Sequence, residues 1–178
     1  MYITVFDLET TGLVEAKGSD PITQPYITEY FALKIDPKTG ETEEFESYIK
    51  PPIPIPNHIE KLIGITNQMV ANAPSFLDFH REIVNSMFCS HTLVAHNLPF
   101  DLEVLRLELA RIGKEHKFPY PPIHFCTVEQ SMHIKGHRLK NGELYELATG
   151  KELTGAHKAR NDVMATYESY KWLKAGAK

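Results

Sequence analysis

The chain has 178 residues, 42% of them apolar, with a formal net charge of −4, which predicts one folded domain over 1–178 with a substantial core. No run of about 18 charge-free apolar residues occurs, so no membrane-spanning helix is expected, and the N-terminal MYITVF reads as a strand rather than a signal sequence. The negative charge argues against coating a duplex by bulk electrostatics, which takes many basic contacts, but it is compatible with gripping a short strand end.

In chain order, residues 2–6 are mostly β-branched or aromatic and predict a strand. Residues 10–26, rich in Thr, Gly, Pro and charge, predict a turn and an excursion. Ile27 to Ile35 and Glu44 to Ile49 predict two strands joined by a turn at Asp36 to Gly40, hence an antiparallel hairpin. The segment PPIPIP at 51–56 is extended by its prolines and exposed enough to be a contact surface, and Asn57 is placed to cap a short helix over His58 to Leu62. Ser75 caps a further helix that buries Phe76, Phe79, Ile83, Val84 and Met87. His91 to Ala95 is a short strand. Pro99 opens the next helix, whose apolar stripe is Leu102, Leu105, Leu109 and Ile112. A strand at Ile123 to Cys126, a helix from Val128, another over Gly142 to Ala148 and a last one from about Lys158 to Leu173, with Ala159, Val163, Tyr167 and Tyr170 facing inward, complete the pass. A hairpin-rich start followed by alternating helix and strand predicts an α/β layer with a mixed sheet, and such sheets form their sites at the carboxyl ends of strands. Cys89 and Cys126 lie far apart and read as two buried thiols in a reducing compartment, which makes the cytoplasm the expected location.

Three polar elements stand out. Asp7 and Glu9 end an apolar strand, and a period of two puts both carboxylates on one face, followed at once by the turn Thr10-Thr11-Gly12. An isolated Asp-x-Glu is commonly a solvated pair; converging carboxylates in a cleft instead require a cation, and hard divalent ions take such oxygen ligands. The segment LVAHNLPFD ends a second strand in His96 and Asn97 and sets Asp101 at a helix start, where a carboxylate also has a purely structural reason to be. In GAHKARNDV, His157 lies at the start of the last helix and Asp162 inside its second turn, three residues from inward-facing Ala159, which is an unusual place for an unpaired carboxylate.

Together these segments resemble the three motifs of the DEDDh exonuclease family. Phe6-Asp7-Leu8-Glu9-Thr10-Thr11-Gly12 is similar to the first motif, His96-Asn97-x-x-Phe100-Asp101 to the second, and His157-x-Ala159-x-x-Asp162 to the third in its histidine form. Ile55 to Pro74, with its Leu-x-Gly-Ile-Thr core, and Tyr145-Glu146-Leu147 ahead of Gly150 are similar to the polymerase proofreading branch. The insertion from Val14 to Pro25 is longer than in minimal members, and Arg160-Asn161 replace residues that are more often small or apolar. The resemblance implies a ribonuclease H-like fold: a mixed five-stranded sheet with helices on both faces. It implies a metal-dependent 3′–5′ exonuclease that releases nucleoside 5′-monophosphates from single-stranded nucleic acid, DNA favoured. Two Mg²⁺ or Mn²⁺ ions per site are implied, one on Asp7, Glu9 and Asp162 and the second on Asp7 and phosphate, with Asp101 completing the acidic set and His157 as general base. Thr10, Thr11, Gly12 and Leu13 are expected to hold the terminal nucleotide, with His96, Asn97 and Phe100 beside it; Phe100 equally suits core packing.

Other readings stand beside this one: an inactive scaffold on this fold, against which the complete acidic set argues; a structure-specific nuclease or an exoribonuclease; and a proofreading module of a polymerase complex. The implied partners are a single-stranded or frayed 3′ end, of DNA or RNA, and a polymerase, with no membrane contact.

Overall fold

The computed structural model describes residues 1–15, 20–155 and 158–176. Its centre is β1 (Tyr2–Thr10), which runs antiparallel to β2 (Ile27–Ile35) and parallel to β4 (Ser90–Ala95). With β3 (Thr42–Tyr48) and β5 (Ile123–Cys126), the sheet has the order β3-β2-β1-β4-β5. The expected hairpin is present as the β2–β3 pair, and its short turn accounts for the antiparallel half. The parallel half needs crossovers, supplied by α1 (Asn57–Ile63), α2 (Asn67–Val70) and α3 (Phe76–Met87) before β4, and by α4 (Leu98–Arg111) before β5. Helices α5 (Thr127–Lys135), α6 (Asn141–Thr149) and α7 (Ala159–Lys174) follow.

Strand alternation sorts the two faces. Phe6, Leu8, Tyr30, Ala32, Leu93 and Ala95 pack with Ile83 and Met87 of α3 and with Val104, Leu105 and Leu109 of α4. Val5, Phe31, Leu33, Ile35 and Val94 pack with Ala159, Val163 and Tyr170 of α7. Odd-numbered Asp7 and Glu9 therefore belong to the α7 face, one step beyond its apolar part. A small separate cluster of Ile55, Ile63, Ile65 and Val70 holds the segment that carries α1 and α2.

Local chemistry explains where the elements begin and end. Ser75 caps α3 with a reciprocal box, its hydroxyl accepting from the Asp78 amide while the Asp78 carboxylate accepts from the Ser75 amide. Asn57 is not a cap, because Pro56 occupies that position with φ −60° and ψ 140°, and Asn57 is the first helical residue. Strand β1 runs on to Thr10, so the acidic pair is part of the ladder, and β3 begins two residues earlier than expected. Two short 3₁₀ turns, Pro21–Thr23 and Glu115–Lys117, and the single turn of α2 were not foreseen. Cys126 is buried but Cys89 is exposed, at a left-handed φ of 63° between α3 and β4, which corrects the expectation of two buried thiols. In the proline segment Pro51 and Ile55 are buried, and Pro52 to Pro54 are exposed. Among the described residues, no helix is long and apolar enough to cross a membrane.

Candidate active site

Register brings the carboxylates together. Asp7 stands opposite Phe31 and Glu9 opposite Glu29 on β2, with an irregularity between Glu9 and Thr10 that ends the regular pairing and lets the chain turn away. Asp162 lies in the first turn of α7 rather than the second, because α7 begins at Ala159. Asp7, Glu9 and Asp162 each offer an oxygen, and the three oxygens lie within 4.8 Å of one another. Asp101, in the first turn of α4, is buried, and the nearby Leu8 backbone N–H favours its ionised form, so it meets the end of β1 from the opposite face. A cleft of about 360 Å³ opens over these groups, walled by Leu13, His96, Asn97, Phe100 and Asn141.

The like charges are mutually unfavourable. Desolvation, then Asp101, Asp162, Glu9 and Glu29, raise the Asp7 carboxyl well above its ordinary value. Desolvation followed by Asp162 and Glu29 pushes Glu9 up to about 8. Asp101 is raised chiefly by desolvation. Three converging oxygens, with Asp7 and Glu9 held back from ionising by desolvation and then by their acidic neighbours, fit a hard divalent cation, which would neutralise all three.

This electrostatic state has a measurable consequence. A carboxyl whose folded-state value lies above its unfolded one binds protons in the folded state that the unfolded chain has released. Its stabilising contribution is full below about pH 4.5 and is lost as pH rises through the folded value, about 8 for Glu9. In chelator, the melting temperature should therefore fall between pH 5.5 and pH 8.5 more steeply than in Mg²⁺ or Mn²⁺. The metal-induced gain should be larger at pH 8.5, reaching about 5–10 °C at a hundredfold excess over Kd. Calorimetry in paired buffers checks this, and a gain that is larger at pH 5.5 contradicts it.

The expected residues occupy distinct positions. Thr10 donates its hydroxyl proton to the Gly12 carbonyl at 2.6 Å, closing the turn. Thr11 is buried; its amide donates to the Tyr26 carbonyl at 2.9 Å and its hydroxyl accepts the Tyr26 amide at 3.0 Å. Leu13 beyond them is 80% exposed, which leaves its side chain to meet whatever enters the cleft. Arg111 clamps the excursion that supports this turn, donating to the carbonyls of Pro21, Gln24 and Pro25 and lying 3.8 Å from the centre of the Tyr26 ring. Glu108 pairs with Arg111 at 3.1 Å and accepts the Ile27 amide. Phe100 packs partly against the core while lining the cleft, so both expectations for it meet in one side chain.

His96 has both ring nitrogens engaged. The Leu139 carbonyl at 3.1 Å only accepts, so Nε2 carries the proton and Nδ1 accepts the Thr127 hydroxyl at 2.9 Å. Desolvation first, against the Leu139 contact, lowers its pKa to about 4, so it offers the cleft an uncharged wall. Asn97 is left-handed, φ 70° and ψ 42°, and its Oδ1 accepts from Arg138 at 2.7 Å. His157 lies outside the described residues.

Two residues that the sequence did not single out hold the first turn of α7. Glu29 accepts the Ala159 amide at 3.1 Å while adding a further charge beside Glu9. Asn141, the first residue of α6, donates to both the backbone carbonyl and Oδ1 of Asp162, at 3.0 and 3.1 Å, and accepts from Thr166. Such partners orient a ligating carboxylate. A lone Glu in an apolar strand hinted at Glu29; nothing in the sequence hinted at Asn141. The Arg160-Asn161 departure also has a structural basis. Arg160 pairs with Glu44 and lies 5.3 Å from the centre of the Phe31 ring, and Asn161 donates to the Gly155 carbonyl. At Gly155, φ 70°, a side chain is disfavoured by the backbone conformation, and its Cβ would displace Asn161 Nδ2, 2.7 Å away.

A mixed sheet in this order, with acidic residues gathered at the carboxyl ends of its central strands, defines the ribonuclease H-like exonuclease class. A family model described as Exonuclease matches residues 4–170, and the chain belongs to that family. It is 32% identical over 174 residues to the DNA polymerase III subunit epsilon of Treponema pallidum, covering 94% of this chain and 74% of that one. It is also 32% identical over 167 residues to a DNA polymerase III subunit epsilon-like protein of Rhodobacter capsulatus, covering 93% of this chain but only 23% of the relative. Among solved structures, E. coli Exonuclease I in complex with an oligonucleotide superposes with a TM-score of 0.76 at 20% identity, over 97% of this chain and 41% of that one. That last likeness concerns the fold.

Proposed function

We propose that this chain is a metal-dependent 3′–5′ exonuclease acting on single-stranded nucleic acid, DNA favoured, and that residues 1–178 form one exonuclease domain. The observation that carries the proposal is the three-oxygen cluster of Asp7, Glu9 and Asp162 at the floor of a cleft of about 360 Å³, in a chain of the exonuclease family. The chain spans only part of several longer relatives, whose names place them in DNA polymerase III, and this supports a polymerase as partner.

When bound, two Mg²⁺ or Mn²⁺ ions supply charge neutralisation at the phosphate and the acidity needed to form hydroxide near neutral pH. Asp7, Glu9 and Asp162 would hold that charge, with Asp7 the carboxylate expected to be common to both ions and Asp101 beside it. Asn141 and Glu29 keep the Asp162 turn in place. Thr10, Thr11 and Gly12 form the turn that receives the terminal nucleotide. Leu13 supplies an apolar surface for its base, and Phe100 the wall opposite. Asn97 lies where the next part of the backbone leaves. His157 takes the proton of the attacking water, a task suited to a side chain with an ordinary pKa near 6.5. The products are a nucleoside 5′-monophosphate and a strand one residue shorter.

A cleft of this size takes one splayed nucleotide, so a paired end has to open first, at a cost of a few kcal/mol. Unpaired 3′ ends should be degraded about tenfold or more faster than blunt ends of the same sequence. Matched DNA and RNA oligonucleotides, single- and double-stranded, with and without Mg²⁺ or Mn²⁺, test this. Equal rates on paired and unpaired ends contradict it, and a faster rate on RNA moves the assignment to an exoribonuclease.

A further inference from the structure

The cleft over the carboxylates does not end there. His96, Asn97, Asn141 and Asp162 are also walls of a second, larger groove of about 690 Å³, lined further by the segment from Arg138 into the start of α6. Four carboxylates line the first cleft, and Glu143, Glu146 and Glu152 stand along the second. Among the described residues lining the two, Arg138 and Lys140 are the only cations besides any charge that bound metal brings. Arg138 is held rather than loose: its guanidinium donates to Asn97 Oδ1 at 2.7 Å, and Asn97 is fixed at the head of α4, four residues before Asp101. No carboxylate pairs with Arg138 among the described residues, although seven line the connected clefts. A guanidinium has five N–H donors, and the Asn97 bond uses one of them.

We propose that Arg138 is a binding residue for the phosphate one nucleotide upstream of the scissile one, and that the second groove carries the strand away from the site along its Arg138 side. The inference rests on the exonuclease reading above. A held guanidinium with donors beyond its Asn97 bond matches the bidentate geometry of phosphate, and the glutamates that line the same groove repel the backbone, which leaves Arg138 and Lys140 as its points of attachment. Arg138 thereby favours substrates longer than a dinucleotide. A dinucleotide has only the scissile phosphate, whereas a trinucleotide has the second one that Arg138 takes.

The test compares wild type, Arg138→Ala and Arg138→Lys on a dinucleotide, a trinucleotide and a hexanucleotide with Mn²⁺. Binding of a fluorescent hexanucleotide is measured in parallel with Ca²⁺ in place of Mn²⁺. For Arg138→Ala, kcat/KM on the trinucleotide and hexanucleotide should fall about tenfold more than on the dinucleotide, through KM, as expected for one charge-assisted contact. The slope of log binding constant against log salt should become shallower by about 1. Arg138→Lys should restore part of the loss. Equal losses on all three lengths overturn the proposal and make Arg138 a support for Asn97, and an unchanged salt slope with unchanged hexanucleotide affinity overturns it as well. If wild type cleaves nothing, the exonuclease reading fails, and the Ca²⁺ binding comparison still decides whether Arg138 meets a phosphate.

Discussion

Asp7→Ala is expected to lose hydrolysis by about 10³-fold or more in kcat while remaining folded. Asp7 is the carboxylate most crowded by others: Asp101, Asp162, Glu9 and Glu29 all act on it, and it stands within the three-oxygen cluster. Under the proposed two-metal reading, removing it leaves neither ion properly held, and each tenfold in rate corresponds to about 1.4 kcal/mol of barrier, so the loss of several kcal/mol of charge stabilisation gives this magnitude. The same substitution removes a source of repulsion. The metal-free variant should therefore melt no lower than wild type at pH 8.5, and its metal-induced stabilisation should largely disappear. Single-turnover rates and melting curves on the one variant check both, and more than a tenth of the wild-type rate would refute the bridging role.

The second large effect is expected at His157. His157→Ala should lower kcat by about 10²–10⁴, the usual worth of general acid–base catalysis. The cluster found among the described residues is made of carboxylates alone, so the metal-induced rise in melting temperature should survive the substitution. Its separation from the Asp7 result is the point of the experiment: one variant loses rate and metal, the other rate alone. A base has to be neutral to accept a proton, so at saturating metal wild-type activity should fall on the acid side and the variant should lose that limb. If metal binding collapses together with the rate, His157 is a ligand or a structural residue. A rate that barely changes means that another group takes the proton.

What could be read from the sequence was what depends on near neighbours. Period-two alternation put Asp7 and Glu9 on one face, and the first strand, the β2–β3 hairpin and the Ser75 cap followed from local pattern. The family motifs pointed to Asp101 and Asp162 before any geometry was known, but not that Asp101 approaches from the α4 face, beside the Leu8 amide. Glu29 became part of the site only because register sets it opposite Glu9, and a register is a pairing between distant segments. Asn141 and Arg138 depend on how the chain before α6 crosses the sheet end, which no local pattern encodes. His96 shows the limit from the other side. Its motif position marked it for substrate, and the structure adds internal partners for both nitrogens from Thr127 and Leu139. The excursion after β1 read as a polar loop, yet Arg111 and Glu108 of α4 tie it down through backbone carbonyls and an amide, contacts to which side-chain patterning is blind.

The central claim is that the carboxylate cluster removes nucleotides from a 3′ end with the help of divalent metal. It is tested most directly by following one linear single strand labelled at its 3′-terminal nucleotide and, separately, at its 5′ end, beside a circular strand of the same composition. With Mg²⁺ or Mn²⁺, the 3′ label should leave at once as a nucleoside 5′-monophosphate, and the 5′-labelled strand should shorten one nucleotide at a time. The circle should stay intact, and nothing should change in chelator. Internal fragments from the linear strand, cutting of the circle, early release of the 5′ label, or undiminished activity in chelator would each contradict the account.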